Sequence, residues 1–322
     1  MRVASVTCGP QRNERDGGRM SKVIVFGSLN MDLSVSCPRV PEAGETIIGQ
    51  GFLASPGGKG ANQAMASARM GAITHMVGAV GKDVFGTRLV QSLVEADVLC
   101  ERVCALKDVP TGTATILRAQ GDNRIVVDPG ANAATHADVV CSVIDDIAEP
   151  GDIFLTQLEC DMDTTMDAIA YARESGLYTI LNAAPAAPLS SDIYQSIDLL
   201  CVNETECQAL TDISPETEKG CMRALMAFSA RGVATTVITL GSRGSVALIA
   251  DDMYRVEPHH VDAVDTTAAG DTYLGALAAQ LSHGLDILDA MRWASVAGAL
   301  ATTREGAQRS IPTFAEVERL LA

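Results

Sequence analysis

From Ser21 onward, short runs of β-branched and aliphatic residues alternate with longer segments whose apolar residues recur every three or four positions. Residues 22–29 (KVIVFGSL), 73–81 (ITHMVGAVG), 152–158 (DIFLTQL), 178–184 (YTILNAA), 198–203 (DLLCVN), 235–241 (TTVITLG) and 245–250 (SVALIA) predict strands. Several are apolar on both faces, the pattern of a parallel sheet covered by helices. Between them, GANQAMASARMG and TTMDAIAYARESG predict helices; in the second, Met166, Ile169, Ala170 and Arg173 carry the 3,4 spacing and Gly176 ends it. Strand then helix, repeated, predicts an α/β fold with a doubly wound, mostly parallel central sheet and helices on both faces. Residues 33–56 and 109–128 break the alternation: both are strand-like, with Pro, Gly and Asp-Asn turn signals and no helix between. They predict a small β-sheet lid, a device that excludes water from a site. Residues 1–20 are polar and rich in Gly and Arg, without the apolar run of a secretory signal, and are expected to be a disordered extension; residues 21–322 are expected to form the folded unit.

The chain has 322 residues, 47% of them hydrophobic, enough for one large core or two smaller ones. Its formal charge of −16 repels polyanions, so neither nucleic acid nor an anionic membrane surface is an expected partner. No apolar run of about 18 residues predicts a membrane span. The same charge constrains the chemistry: a phosphate ligand must be held by backbone dipoles, a metal ion or a few selected cations. Nine cysteines, none in a C-x-x-C pair and with no secretory signal, point to reduced thiols and a cytoplasmic protein, and are read as small core residues. Cys100 and Cys104 stand one turn apart if that stretch is helical, but lack His partners for zinc. His259 and His260, after Pro258, read as a loop or strand edge.

In open α/β sheets ligands bind beyond the carboxyl ends of the strands, and polar groups recur there. Asn30 and Asp32 stand in GSLNMD; Gly58, Lys59 and Asn62 in GGKGAN; Glu159 in TQLE; Asn203 and Glu206 in NETE; Thr239, Gly241, Ser242 and Gly244 in TLGSRG; and Ala268, Ala269, Gly270 and Asp271 in AAGD. Neither G-x-x-x-x-G-K-[ST] nor G-x-G-x-x-G occurs at these places, which disfavours a P-loop or a Rossmann dinucleotide site. Each segment has two readings. GGKGAN is a backbone cradle for a ligand, with Lys59 and Asn62 as donors, or a glycine turn entering a helix. TLGSRG is a phosphate path or a tight hairpin. Asn203 and Glu206 are a helix-start pair or an anchor for Mg²⁺-bound water. Asp271 is the N-cap of a new helix, with Gly270 as its turn, or a base placed beside bare main-chain donors.

Taken in order and spacing, GSLNMD, GGKGANQA, GAVGKDVFG, GANAA, QLE, NETE, ITLGSRG, DTTAAGDTYLGAL and EGAQRSIP resemble the ribokinase-like family of sugar kinases over residues 22–312. The resemblance implies ATP-dependent phosphorylation of the 5-hydroxyl of D-ribose. By it, Asp271 is the base and the amides of Ala268, Ala269, Gly270 and Asp271 form the anion hole for the γ-phosphoryl group. Asn30, Asp32, Gly58, Lys59, Asn62 and Glu159 hold the sugar, whereas Asn203, Thr239, Gly241, Ser242, Gly244 and Ser295 face ATP. Glu206 acts near Mg²⁺ through water, and Asp265, Thr267, Ala301, Arg304, Gly306 and Ser310 match a K⁺ loop. It also implies a homodimer through the lid. Ala184, Cys160, Leu274 and Ser295 depart from the family's usual residues and bear on nucleotide affinity and sugar preference. Another kinase of the family, such as a deoxyribokinase, a non-catalytic sugar-binding regulator, and a glycosidase using Asp32 and Glu159 remain as alternatives.

Overall fold

Successive side chains of a strand point to opposite faces, so a strand apolar at every position needs a covering layer on each side. The computed structural model describes residues 20–120, 122–249 and 251–322, and the expected extension, Met20 apart, lies outside the described residues. The strands are β1 (Val23–Phe26), β2 (Asn30–Cys37), β3 (Gln50–Gly57), β4 (Thr74–Gly81), β5 (Leu99–Leu106), β6 (Gly112–Ala119), β7 (Asp122–Asp128), β8 (Ile153–Gln157), β9 (Tyr178–Asn182), β10 (Leu199–Val202), β11 (Thr235–Thr239), β12 (Ser245–Ile249) and β13 (Asp252–Val256). The helices are α1 (Lys59–Arg69), α2 (Val84–Val94), α3 (Ala137–Ile147), α4 (Met162–Glu174), α5 (Glu204–Thr211), α6 (Glu218–Ala230), α7 (Ala269–Ser282), α8 (Ile287–Ala301), α9 (Ala307–Ser310) and α10 (Phe314–Leu321).

Among the described residues, nine strands form one sheet in the order β13-β12-β11-β10-β9-β8-β1-β4-β5, parallel except where β12 and β13 are added antiparallel. Val23, Val25, Leu155, Leu199 and Val237 pack on one face beneath α1, α2, α7 and α8. Ile24, Phe26, Phe154, Leu200 and Ile238 pack on the other beneath α3, α4 and α6. Each such side chain contributes about 1.5–3 kcal/mol by leaving water, which is what holds three layers together. The two stretches that interrupt the alternation form a second sheet, β3-β2-β6-β7. From β1 the chain passes to β4 and β5 on one side, then returns to β8 on the other. The carboxyl ends of β1 and β8 therefore flank the crevice where a ligand fits this class of sheet.

All seven predicted strands are present, but β5 and β13 carry no continuous apolar run and escape the pattern. Both are edge strands, where polar side chains are tolerated and useful. Cys100 and Cys104 thus lie on a strand, not a helix. The expectation of core cysteines holds for Cys201, Cys207 and Cys221; Cys104 is exposed, and Cys37, Cys100, Cys141 and Cys160 are half-buried. In α4 the buried stripe is Thr165, Ala168, Ile169 and Ala172, so the apolar face is centred one residue from the predicted one, and Arg173 instead pairs with Asp198 at 2.9 Å. Gly176 follows the last turn with φ +82°, as predicted. Among the described residues no helix is long and apolar enough to cross a membrane.

Helices α1 and α7 cross at unusually short range. A Cβ on Gly275 would lie 2.4 Å from the carbonyl oxygen of Gln63 and 2.6 Å from the Ala66 Cβ, so the two helices meet backbone to backbone. Alanine is the better helix former by about 1 kcal/mol, yet overpacking against main-chain atoms costs about 1–3 kcal/mol, and the larger effect decides the sign. Gly275→Ala is expected to lower the urea midpoint and reduce turnover together. A midpoint at or above that of the wild type would show that the helices part freely.

Candidate active site

Asp271 stands at the third residue of α7, not at its N-cap; Ala268 occupies the cap with φ +59°, a left-handed conformation that costs a non-glycine residue about 1–2 kcal/mol. The cap interpretation of this aspartate is therefore wrong, and its side chain shows why. It is 8% exposed, and both oxygens are taken by amides from α1: Asn62 Nδ2 donates to Oδ2 at 2.9 Å and Gln63 Nε2 to Oδ1 at 3.0 Å. Burial pushes its carboxyl above the usual aspartate range, while Lys59, Asn62 and Gln63 pull it back and Glu159 adds to the rise. The outcome is a carboxylate with more proton affinity than a solvated one.

The first-turn N–H groups of a helix have no intrahelical acceptor, and a Cβ on Gly270 would meet no atom within 4 Å. The Gly270 and Asp271 N–H groups have no acceptor among the described residues. Ala269 differs from the expectation: its N–H donates to the Thr266 carbonyl at 3.2 Å. Of the four amides expected to form an anion hole, that of Ala269 is thus already engaged.

The sugar-side candidates assemble around this point. Asn30 and Asp32 lie on β2, in the smaller sheet, rather than at the end of the first central strand, so that sheet supplies acceptors as well as cover. Asn30 is buried, its Oδ1 accepting from Asn132 Nδ2 at 2.8 Å; Asn132 Oδ1 in turn accepts from the Leu29 N–H at 2.9 Å. Glu159, just beyond β8, accepts from Ser28 Oγ at 2.6 Å and from the Lys59 N–H at 3.2 Å, with Lys59 Nζ at 4.0 Å. Gly58, at φ +92°, caps α1 and brings Lys59 into its first turn. Burial works against the Lys59 ammonium, but Asp271, Glu159 and Glu206 outweigh it and raise its pKa. Burial, helped by Glu159 and Asp271, pushes the Asp32 carboxyl up to about 7. Asn62 has spent its donor group on Asp271; its Oδ1 is buried and without a partner, ready to accept from a hydroxyl.

Asn203 and Glu206 form a complete capping box on α5, so the helix-start reading of that pair is correct. Both carboxylate oxygens of Glu206 are taken by Asn203, at 2.8 and 3.0 Å, and burial raises its pKa. TLGSRG is the hairpin between β11 and β12, with Thr239 paired to Ser245; Gly241 and Gly244 both have positive φ. Gly244 packs against the Val256 carbonyl, and Ser295 Oγ donates to the Glu257 carbonyl at 3.3 Å, so this loop and Ser295 border one stretch of chain. Asp265 ties a third group: Oδ1 accepts from the Thr267 N–H and Oδ2 from the Gly306 N–H, each at 2.9 Å. Arg304 turns away to Glu316, and Ser310 Oγ donates to the Ala307 carbonyl. Among the described residues, no three His, Cys, Asp or Glu side chains converge as a metal cage.

Sequence reasoning missed Ser28, Gln63, Asn132, Gln157 and Asn182. The first four lie inside GSLNMD, GGKGANQA, GANAA and QLE, but serine, glutamine and asparagine carry no spacing signature of their own.

The pfkB family carbohydrate kinase model matches residues 20–314. A ribokinase of Bacillus subtilis is 37% identical over 303 residues, covering 94% of this chain and all of the relative. A ribokinase of Lactococcus lactis is 36% identical over 303 residues, 94% of this chain and 97% of its own. The structure of Arabidopsis thaliana ribokinase complexed with ribose and ATP superposes with a TM-score of 0.86 at 30% identity, over 94% of this chain and 99% of that one. With the fold and the near full-length matches in agreement, the chain belongs to the pfkB family of carbohydrate kinases.

Proposed function

We propose that the protein transfers the γ-phosphoryl group of ATP to the 5-hydroxyl of D-ribose, giving D-ribose 5-phosphate. The observation that carries the reading is the pairing of a buried, amide-held carboxylate at Asp271 with unobstructed N–H groups at Gly270 and Asp271. Phosphoryl transfer asks the protein for in-line placement and for donors to the charge on the phosphoryl oxygens. A helix N-terminus supplies those donors on a chain whose net charge is −16. Asp271 takes the hydroxyl proton as the oxygen attacks, and Lys59 offsets the negative charge gathered there. Asn30, Asp32, Glu159 and the Asn62 carbonyl are acceptors suited to a polyol. Asn203, the 239–244 loop and Ser295 line the approach for the nucleotide.

Glu206 would act on Mg²⁺ through water, since its own oxygens are engaged by Asn203 and no protein cage surrounds it; such sites take Mg²⁺ mainly through phosphate and water. When bound, the ion neutralises charge on the phosphate oxygens. Asp265, Thr267, Ala301, Arg304, Gly306 and Ser310 would supply the oxygens of a K⁺ site, and the Asp265 contacts to the Thr267 and Gly306 N–H groups support that grouping. There Asp265 already braces the turn leading into Ala268. The reading places the enzyme in the cytoplasm, where ATP is held and thiols stay reduced.

A homodimer through the smaller sheet completes the proposal. Ile48 and Phe52 are 88% and 70% exposed, and Val126 on the edge strand β7 is 72% exposed, an apolar surface that a second copy would cover. Phe52→Asp is expected to halve the mass read by light scattering; a monomeric wild type would remove the dimer.

Two measurements bear on the chemistry. With ribose, ATP and Mg²⁺, Asp271→Asn is expected to lower ADP release by about 10²- to 10⁴-fold, the usual contribution of a general base; wild-type turnover in that variant would defeat the mechanism. Asp32 gives the second. Its folded-state pKa of about 7 lies above the ordinary 3.8, so the folded protein holds that proton more tightly than the unfolded chain. Ionising it therefore costs folding free energy, in full above pH 7 and not at all below about pH 4. An ionised Asp32 is also the better acceptor. The KM for ribose is thus expected to fall as pH rises through 7, and Asp32→Asn to abolish that trend while raising Tm at about pH 8 by a few degrees. A parallel KM profile in the variant would show that Asp32 does not face the sugar.

A further inference from the structure

Behind Asp271 runs a chain of buried side-chain amides that the reaction as described leaves unused. Gln63 Nε2, which donates to Asp271 Oδ1, also donates to Asn182 Oδ1 at 3.1 Å. Gln157 Nε2 donates to Gln63 Oε1 at 2.7 Å, and Asn182 Nδ2 donates to the Cys201 carbonyl at 3.3 Å. Gln63 and Gln157 are 0% and 1% exposed.

The direction of each amide is dictated by its neighbours. An ionised carboxylate and a main-chain carbonyl only accept. Asp271 therefore requires the NH₂ end of Gln63, which turns the Gln63 oxygen to Gln157 and requires the NH₂ end of that residue. From the other side, the Cys201 carbonyl requires the NH₂ end of Asn182, which leaves the Asn182 oxygen for Gln63. Both constraints select the same orientation of Gln63. The network has a cost: Gln157 Oε1 is buried without a partner. It also takes space, because a Cβ on Gly27 would lie 2.0 Å from that oxygen. The glycine directly after β1 is thus what lets Gln157 reach Gln63 across the crevice.

We propose that Gln63, oriented by Gln157 and Asn182, is a positioning residue that keeps Asp271 ionised and in a single orientation before the sugar hydroxyl arrives. The proposal rests on the reading of Asp271 as the base. The charged groups around that carboxylate are Lys59 from α1, Glu159 beyond β8, Asp32 from β2 and Glu206 from α5, and their effects on it do not depend on Gln63. Loss of the Gln63 donor removes a charge-assisted hydrogen bond to the ionised form alone, so the Asp271 proton is held more tightly and the acid limb of the rate profile moves to higher pH.

The test is kcat and ribose KM from about pH 5 to about pH 9 for the wild type, Gln63→Met, Gln157→Met and Asp271→Asn. Methionine keeps the length of glutamine and removes its polar atoms. For Gln63→Met the acid limb of kcat is expected to rise by about one pH unit, so that kcat at pH values below the wild-type limb falls about tenfold, with KM within about threefold of wild type. Gln157→Met, which keeps Gln63 but frees it to rotate, is expected to move the limb in the same direction by less. A folded Gln63→Met whose profile overlays the wild type overturns the proposal; should that variant not fold, an unmoved limb in Gln157→Met does so. Asp271→Asn separates the two readings. Turnover retained there sinks the base itself, whereas turnover lost there with unmoved limbs in the glutamine variants sinks only the positioning role.

Discussion

A carboxylate withdrawn from water must be compensated where it lies or it takes up a proton, and the architecture around Asp271 obeys that constraint. Two amides and one ammonium from α1 provide the compensation, and α1 must approach α7 closely enough to deliver them. Close approach demands small residues at the crossing, which is why Gly275 meets the Gln63 carbonyl directly. The same helix start that places Asp271 leaves the N–H groups of Gly270 and Asp271 without an acceptor among the described residues. One helix crossing therefore sets the position and the protonation of the carboxylate proposed as the base.

The acidic surface and the chemistry do not conflict. A phosphate-handling protein with a charge of −16 does not need a basic face, because partial charges at a helix N-terminus act over a few ångströms in a site with little water. Lys59 is the cation at the centre, flanked by Glu159 and raised in pKa by the carboxylates around it. In the proposed reaction the acidic groups would serve the sugar, whose hydroxyls need acceptors; burial, with Glu159 and Asp271 close by, lifts Asp32 to about 7.

The smaller sheet has two roles. Its strands β2 and β3 pair in register from Asn30 opposite Gly57, so the sheet carries acceptors at one end while leading directly into the glycine turn that starts α1. Its outer positions, Phe52 and Val126 among them, are apolar and exposed. In the proposed function a sheet that both contributes ligand groups and covers the crevice would couple binding to exclusion of water.

Periodicity alone determined the layered α/β plan, because burial on both faces of a parallel strand leaves a continuous apolar run that nothing else in a chain of this composition produces. The glycines of GGKGAN were legible as a turn or a cradle, and in the fold a Cβ on Gly58 or Gly60 would lie 2.7 or 2.5 Å from main-chain atoms. Edge strands β5 and β13 were not legible, as one side of each is free of packing and need not be apolar. Nor could Asp271 be told from an N-cap: a capping aspartate and a buried base look identical along the chain, and the difference is made by Asn62 and Gln63, 209 and 208 residues away. Gln157 and Asn182 matter only through the direction in which their amides point, and that direction is imposed by partners on other strands and helices, so it exists only once the sheet and α1 have come together.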